Sequence, residues 1–301
     1  MNIVVIGSIN TDLVINTDRI PKIGETIQGK RFSVNCGGKG ANQAVAAAKL
    51  GGNVTFIGAV GNDENGRIST DNLIKNGINT DHIEKVSTNT GVAVITVCNG
   101  DNCIILDSGA NSLVSREIID KNKDVILSAD AIIMQLEIPL ETVTYTAQLS
   151  HNAGVKVILN PAPVTDLPCE LLQNTDVLIL NETEAEHITK IFPDSPEKRM
   201  ECINRLKALG VATVILTLGE EGSVYTHKSE VKHQEAYKTV AVDTTAAGDT
   251  FIGAFCTKLN EDIDYAIKYS TAASSITVSR AGASKSIPTE AEVLKLLTNR
   301  K

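Results

Sequence analysis

Met1-Asn2-Ile3-Val4-Val5-Ile6-Gly7-Ser8-Ile9-Asn10-Thr11-Asp12 opens the chain with four consecutive apolar residues, a Gly-Ser pair and then a polar stretch. A short apolar run without alternation is the mark of a strand buried on both faces. It has no basic flank and is too short for the apolar segment of a secretory leader, so it reads as a strand rather than a signal peptide. Similar runs recur at Val54–Ile57, Ala131–Met134, Lys156–Leu159, Val177–Leu180 and Thr213–Leu216. Helices are expected between them, over Ala41–Lys49, Arg67–Asn76, Leu140–His151, Glu184–Thr189 and Lys198–Leu209. Strand–helix alternation over this length predicts an α/β fold with a mostly parallel sheet covered by helices. Most runs end near a small or polar residue, where open α/β sheets place their ligands.

Two regions break the rhythm. Asp12–Asn35 and Gly91–Leu106 alternate apolar and polar residues, as in Val92-Ala93-Val94-Ile95-Thr96-Val97. Both are antiparallel strand candidates with one exposed face. They form either an edge hairpin on the main sheet or a small second sheet serving as a lid or dimer surface, and the pattern leaves both open. No linker or repeat divides the chain, so residues 1–301 are expected to be one domain with an excursion at about 12–36 and 91–108.

Bulk properties narrow the partners. The hydrophobic fraction of 42% is that of a globular protein, not a disordered one. A net charge of −8 argues against nucleic acid, which requires clustered Lys and Arg. No stretch approaches the apolar length of a membrane span. The six cysteines, Cys36, Cys98, Cys103, Cys169, Cys202 and Cys256, contain no C-x-x-C pair. They are expected to be reduced, mostly buried thiols of a cytoplasmic protein rather than a disulfide framework or a zinc site.

The segment with the most chemistry is Val242-Asp243-Thr244-Thr245-Ala246-Ala247-Gly248-Asp249-Thr250-Phe251-Ile252-Gly253-Ala254-Phe255. An extended piece ends in small residues and an apolar helix follows at once. First-turn N–H groups have no intrahelical partner, and the helix dipole makes that end positive. No bulky side chain at Ala246, Ala247 or Gly248 blocks an anion. Asp249 either caps this turn or accepts a proton from an attacking hydroxyl, and an anion hole beside a carboxylate favours the second role.

A second constellation is Gly37-Gly38-Lys39-Gly40-Ala41-Asn42, which opens a helix but lacks the P-loop spacing. It is either a tight turn or a site in which the glycines admit a ligand close to backbone and Asn42 offers donor and acceptor to hydroxyls. Asn10 and Asp12 follow the first strand and Glu137 follows another, each either a turn former or a side chain that holds a neutral polyol. Asn181-Glu182-Thr183-Glu184 begins a helix just past a strand, as either an ordinary N-cap or a pair steering hydrated Mg²⁺ and phosphate oxygens. Thr217-Leu218-Gly219-Glu220-Glu221-Gly222 is a glycine turn after a strand, either a hairpin or a loop passing a nucleotide.

These segments, together with Gln43-Ala44-Val45-Ala46, Gln135-Leu136-Glu137 and Asn160-Pro161-Ala162-Pro163, resemble the ribokinase-like carbohydrate kinase family from end to end. The resemblance implies a three-layer sandwich with a mostly parallel central sheet flanked by helices, plus a small β-sheet lid often shared in a homodimer. It implies ATP-dependent phosphorylation of a pentose, best ribose at its 5-hydroxyl, with deoxyribose, a nucleoside or another sugar as alternatives. By similarity Asn10, Thr11, Asp12, Gly38, Lys39, Gly40, Ala41, Asn42 and Glu137 would bind the sugar. Asp249 would be the base, and Ala246, Ala247 and Gly248 would form the anion hole. Asn181, Thr217, Leu218, Gly219, Glu220, Glu221, Gly222, Gly248 and Thr271 would hold ATP, with Glu184 acting on Mg²⁺ through water. Asp243, Thr245, Thr277, Arg280, Gly282 and Ser286 would hold K⁺, mostly by carbonyl oxygens. Cys36 departs from the pattern, standing where an apolar aromatic residue is expected.

Two readings from other classes compete. A non-catalytic sugar or nucleotide sensor would not need Asp249 beside an anion hole. A nicotinamide dehydrogenase needs Gly-x-Gly-x-x-Gly after the first strand, and Ile6-Gly7-Ser8-Ile9-Asn10-Thr11 lacks it.

Overall fold

The computed structural model describes residues 1–98, 101–228 and 230–299. Residues 99 and 100, within the second expected excursion, and residues 229, 300 and 301 lie outside them. The strands, in chain order, are β1 (Asn2–Ile6), β2 (Asn10–Thr17), β3 (Arg31–Gly37), β4 (Asn53–Gly61), β5 (Asn79–Val86), β6 (Gly91–Cys98) and β7 (Asp101–Asp107). They continue as β8 (Ala131–Met134), β9 (Lys156–Leu159), β10 (Val177–Asn181), β11 (Thr213–Thr217), β12 (Ser223–His227) and β13 (Glu230–Gln234).

The main sheet has nine strands in the order β13-β12-β11-β10-β9-β8-β1-β4-β5. It is parallel from β5 through β11 and antiparallel at β12 and β13. Its six expected strands are present, β4 running on to Gly61. The apolar runs lack alternation because both faces are covered. Val4, Ile6, Ile132, Met134, Val157 and Leu159 pack into one apolar cluster with Val143, Ile203 and Leu206 from the helices Leu140–Asn152 and Pro196–Ala208. Ile3, Val5, Ile133, Ile158, Ile179 and Ile215 pack into the other, with Val45, Phe251 and Phe255 from the helices Lys39–Lys49 and Ala247–Thr257. This is a three-layer sandwich. Cutting a fully buried side chain such as Ile133 to Ala would cost about 2–5 kcal/mol.

Parallel strands put their C-terminal ends on one edge. The segments after β1, β8, β9, β10 and β11 therefore gather there, and the chain order reverses at β1, which lies between β8 and β4.

The two alternating regions form a separate four-stranded sheet, β3-β2-β6-β7, which resolves the alternative of an edge hairpin. One expectation is corrected: β2 and β6 pair in parallel, so only the outer pairs β2–β3 and β6–β7 are antiparallel. Two hairpins have joined side by side through strands far apart in sequence, which alternation within each cannot reveal. The cysteine expectation is corrected as well. All six are free thiols, but only Cys202 and Cys256 are buried. Cys98 and Cys103 sit on the second sheet, and Cys169 begins a short helix at the surface.

The helices Lys39–Lys49 and Ala247–Thr257 approach closely because small residues line their contact. A Cβ on Gly253 would come 2.5 Å from Ala46 Cβ and 2.8 Å from Gln43 O. That proximity carries Asn42 and Gln43 to Asp249, near the start of the second helix.

Candidate active site

At the start of the Ala247–Thr257 helix the N-cap residue is Ala246, in the left-handed region (φ 62°, ψ 11°), with no side-chain cap. Ala247 N–H donates to Thr244 O at 3.2 Å, and Thr250 N–H to Ala246 O at 2.8 Å. Among the described residues, Gly248 N–H and Asp249 N–H have no protein acceptor. A Cβ on Gly248 would meet nothing within 4 Å, so the space before these donors is open. A helix start of this kind suits an anion.

Asp249 is not the cap of its helix. Its Oδ2 accepts from Asn42 Nδ2 at 3.1 Å and its Oδ1 from Gln43 Nε2 at 3.0 Å. Burial pushes its carboxyl above the usual range, against the pull of the Lys39 ammonium and the two amide donors. A carboxylate raised in this way is a stronger base. Burial alone would lower the Lys39 ammonium, but Asp249, Glu137 and Glu184 together hold it above its ordinary value.

Lys39, Asn160, Asn181, Glu184, Thr217, Thr244 and Ala246 to Asp249 line one cavity of about 220 Å³. At the start of the helix Glu182–Thr189, Asn181 and Glu184 form a capping box. Glu184 N–H donates to Asn181 Oδ1, and Asn181 N–H donates to Glu184 Oε2, each at 2.9 Å. The pair is a helix cap that also lines the cavity. Each Glu184 oxygen accepts one hydrogen bond from Asn181 and keeps a free lone pair. Burial raises its carboxyl, opposed by Asn181 N–H and Lys39.

Across Lys39 lies a second polar cluster. Glu137 accepts from Ser8 Oγ, from Lys39 N–H at 3.1 Å and from Asn10 Nδ2 at 3.4 Å. Asp12, on β2, is pushed up to about 7 by burial first and then by the charges of Glu137 and Asp249. Gly38 and Gly40 are needed for a reason beyond ligand access. A Cβ on either would meet backbone of the segment after β1 at 3 Å or less, at Asn10 N and Ser8 N respectively. The glycines dock the Lys39–Lys49 helix on that segment and so bring Asn10, Asp12 and Lys39 to one place. Thr11 is buried on β2, and Ala41 is buried in the helix.

Not every expected residue comes together. Of the Thr217–Gly222 run, only Thr217 lines the cavity. Leu218 is buried in the core, Glu221 pairs with Arg199 at 2.9 Å, and Gly219 and Glu220 form the turn. Gly222 (φ 97°) closes the β11–β12 hairpin. Thr271 is buried in the helix Ile263–Val278, its hydroxyl donating to Ile267 O at 2.8 Å.

The residues expected around K⁺ do converge. Asp243 accepts from Thr245 N–H and Gly282 N–H at 2.9 Å each. Val242 and Asp243 N–H donate to Val278 O at the C-terminal end of the Ile263–Val278 helix, which has no basic residue in its last turn. Thr277 and Arg280 flank that helix end, and Ser286 is buried nearby with its hydroxyl on Ala283 O. A helix C-terminus beside a carboxylate and a hydroxyl is an oxygen-rich, negative environment that fits a large monovalent cation. Among the described residues, no group of three or more His, Cys, Asp or Glu side chains is placed to hold a metal.

Sequence reasoning gave no role to Gln43, Asn111, Gln135 or Asn160, all buried. Asn111 grips the segment after β1: Ile9 N–H donates to its Oδ1 at 2.9 Å, and its Nδ2 donates to Asn10 Oδ1 at 2.7 Å. For Gln135 and Asn160 the available signal was an amide between apolar neighbours; Gln43 and Asn111 carried none.

Comparison with known proteins agrees with this geometry. Residues 1–290 match the family described as pfkB family carbohydrate kinase. A ribokinase of Haemophilus influenzae is 42% identical over 297 residues, 97% of each chain. A deoxyribokinase of Salmonella typhimurium is 38% identical over 297 residues, 96% of each. A ribokinase of Arabidopsis thaliana, solved in complex with ribose and ATP, superposes with a TM-score of 0.93 at 35% identity, over 98% of both chains. Matched along nearly its whole length, the chain belongs to the pfkB family of carbohydrate kinases.

Proposed function

We propose that this enzyme transfers the γ-phosphoryl group of ATP to the 5-hydroxyl of D-ribose. The observation that carries this reading is the uncapped helix start at Ala246–Asp249 with a raised carboxylate directly behind it. Asn10, Asp12, Lys39, Asn42 and Glu137 would hold the sugar so that its 5-hydroxyl meets Asp249. The hydroxyl oxygen attacks the γ-phosphorus in line, its proton passes to Asp249, and the bond to the β–γ bridging oxygen breaks with release of ADP. Gly248 N–H, Asp249 N–H and Lys39 stabilise the charge on the moving group, Asp249 N–H in place of the expected Ala247 N–H, which donates to Thr244 O. Bound through its waters near Asn181 and Glu184, Mg²⁺ would neutralise phosphate charge. K⁺ beside Asp243 and Ser286 would fix the loop that shapes the anion hole, and turnover in K⁺ well above that in Na⁺ is the expected result.

The second sheet is read as a lid, built from about 12–36 and 91–108, and as the contact of a cytoplasmic homodimer. Support comes from its exposed apolar side chains, among them Phe32, Val34, Val94 and Ile105. A panel of ribose, 2-deoxyribose, a nucleoside and fructose, read by ADP release, tests the substrate. Ribose is expected to give the highest kcat/KM. Preference for 2-deoxyribose would move the chain to the reading favoured by its Salmonella typhimurium relative.

A further inference from the structure

Three buried amides that the proposed reaction does not use converge on its base. Gln43, from the helix Lys39–Lys49, and Gln135, just after β8, are completely buried, and Asn160, just after β9, is nearly so. Gln135 Nε2 donates to Gln43 Oε1 at 2.6 Å. Gln43 Nε2 donates to Asp249 Oδ1 at 3.0 Å and to Asn160 Oδ1 at 3.3 Å. Asn160 Nδ2 donates to Ile179 O at 3.0 Å.

The chain of donors fixes every amide's orientation. Asn160 must turn its oxygen toward Gln43, because its nitrogen is held by a main-chain carbonyl. Gln135 presents its nitrogen to the Gln43 oxygen. Gln43 is thus left with its NH₂ facing two oxygens, one of them the carboxylate. A flipped Gln43 would set its own oxygen against Asp249 and against Asn160. The Gln135 side chain is in turn confined by Gly7, where any Cβ would collide with its amide oxygen. That oxygen is buried and has no partner in the protein, so the amide is held by packing and by its single donor bond.

We propose that Gln43 is a positioning residue for the base. Its amide, oriented by Gln135 and Asn160, holds Asp249 Oδ1 so that the remaining carboxylate lone pairs face the sugar hydroxyl. This rests on the assignment of Asp249 as base. Two donors, Gln43 on Oδ1 and Asn42 on Oδ2, define the plane of the carboxylate from the protein side, and Gln43 is the one that other amides hold in place. They also favour its ionised form in a site that burial drives toward the neutral one. The charged groups facing Asp249 are Lys39 at the start of its helix, Asp12 on β2 and Glu184 at the start of the Glu182–Thr189 helix, with Glu137 after β8 acting on Lys39 and Asp12. All four remain when Gln43 is changed, so a shift in the profile reports the lost amide.

The test uses Gln43→Met, which keeps volume and removes the donor, beside Asp249→Asn. The expected result for Gln43→Met is a kcat lower by about 10- to 100-fold with KM for ribose changed less than about threefold. The acid limb of its kcat–pH profile should move up by about one pH unit. Gln135→Met, which frees the Gln43 amide to rotate, should shift the limb in the same direction by less and serves if Gln43→Met does not fold. An acid limb at the wild-type position in a folded variant, or a rise in KM with kcat unchanged, would overturn the positioning role. Retained turnover in Asp249→Asn would instead remove the base assignment itself.

Discussion

Two helix starts face the same cavity, and they are built in opposite ways. At Asn181–Glu184 the first turn is closed, because side chain and main chain satisfy each other in a capping box. At Ala246–Asp249 it is open. The N-cap has no side-chain oxygen to offer, its backbone is in the left-handed region, and the acid of the first turn looks away to Asn42 and Gln43. Both starts carry a carboxylate three residues past the cap. What separates them is whether that carboxylate satisfies its own helix. Capping contributes about 1 kcal/mol to a helix end, so leaving one uncapped gives up stability that an anion bound there would return.

The largest effect is expected where the open start meets Asp249. Asp249→Ala should lower kcat by about 10³-fold or more with a modest change in KM, measured by coupled ADP release. Near wild-type turnover would remove Asp249 from the chemistry. Closing the open start comes next. Ala246→Asp adds a negative charge at the N-cap and should lower kcat/KM for ATP by about 100-fold, whereas unchanged kinetics would show that no anion approaches there. Opening the closed start should do less. Asn181→Ala should cost about 1 kcal/mol in urea unfolding and reduce turnover less than Ala246→Asp; the reverse ranking would invert the roles of the two helices.

The smallest expected effect concerns Asp12. Its carboxyl is raised from 3.8 to about 7 in the folded protein. Between those values the native state binds more protons than the unfolded chain, so the group's contribution to stability falls as pH rises and is lost above pH 7. Asp12→Asn should therefore raise the Tm at pH 8 by about 5 °C and leave it nearly unchanged at pH 4. Equal gains at both pH values would mean that the effect is not ionisation.

The main sheet was readable because burial on both faces writes itself as uninterrupted apolar runs, as in Ile3–Ile6 and Val177–Leu180. The helix start at Asp249 was readable because the small residues before it make a local pattern. The parallel pairing of β2 with β6 was not, since register between distant strands leaves no mark within either. The amides around Asp249 were missed for the same reason. Gln43 lies 206 residues from Asp249 and 92 from Gln135, and nothing near it in sequence signals a partner. At Leu218–Gly222 the hairpin needs its glycine for the turn, and of the whole run only Thr217 lines the cavity.

The most direct test is a crystal structure of the protein with ribose and a non-hydrolysable ATP analogue. The terminal phosphate is expected within about 3 Å of Gly248 N–H or Asp249 N–H, with the ribose 5-hydroxyl on an Asp249 oxygen between them. A terminal phosphate bound away from that helix start would contradict the account.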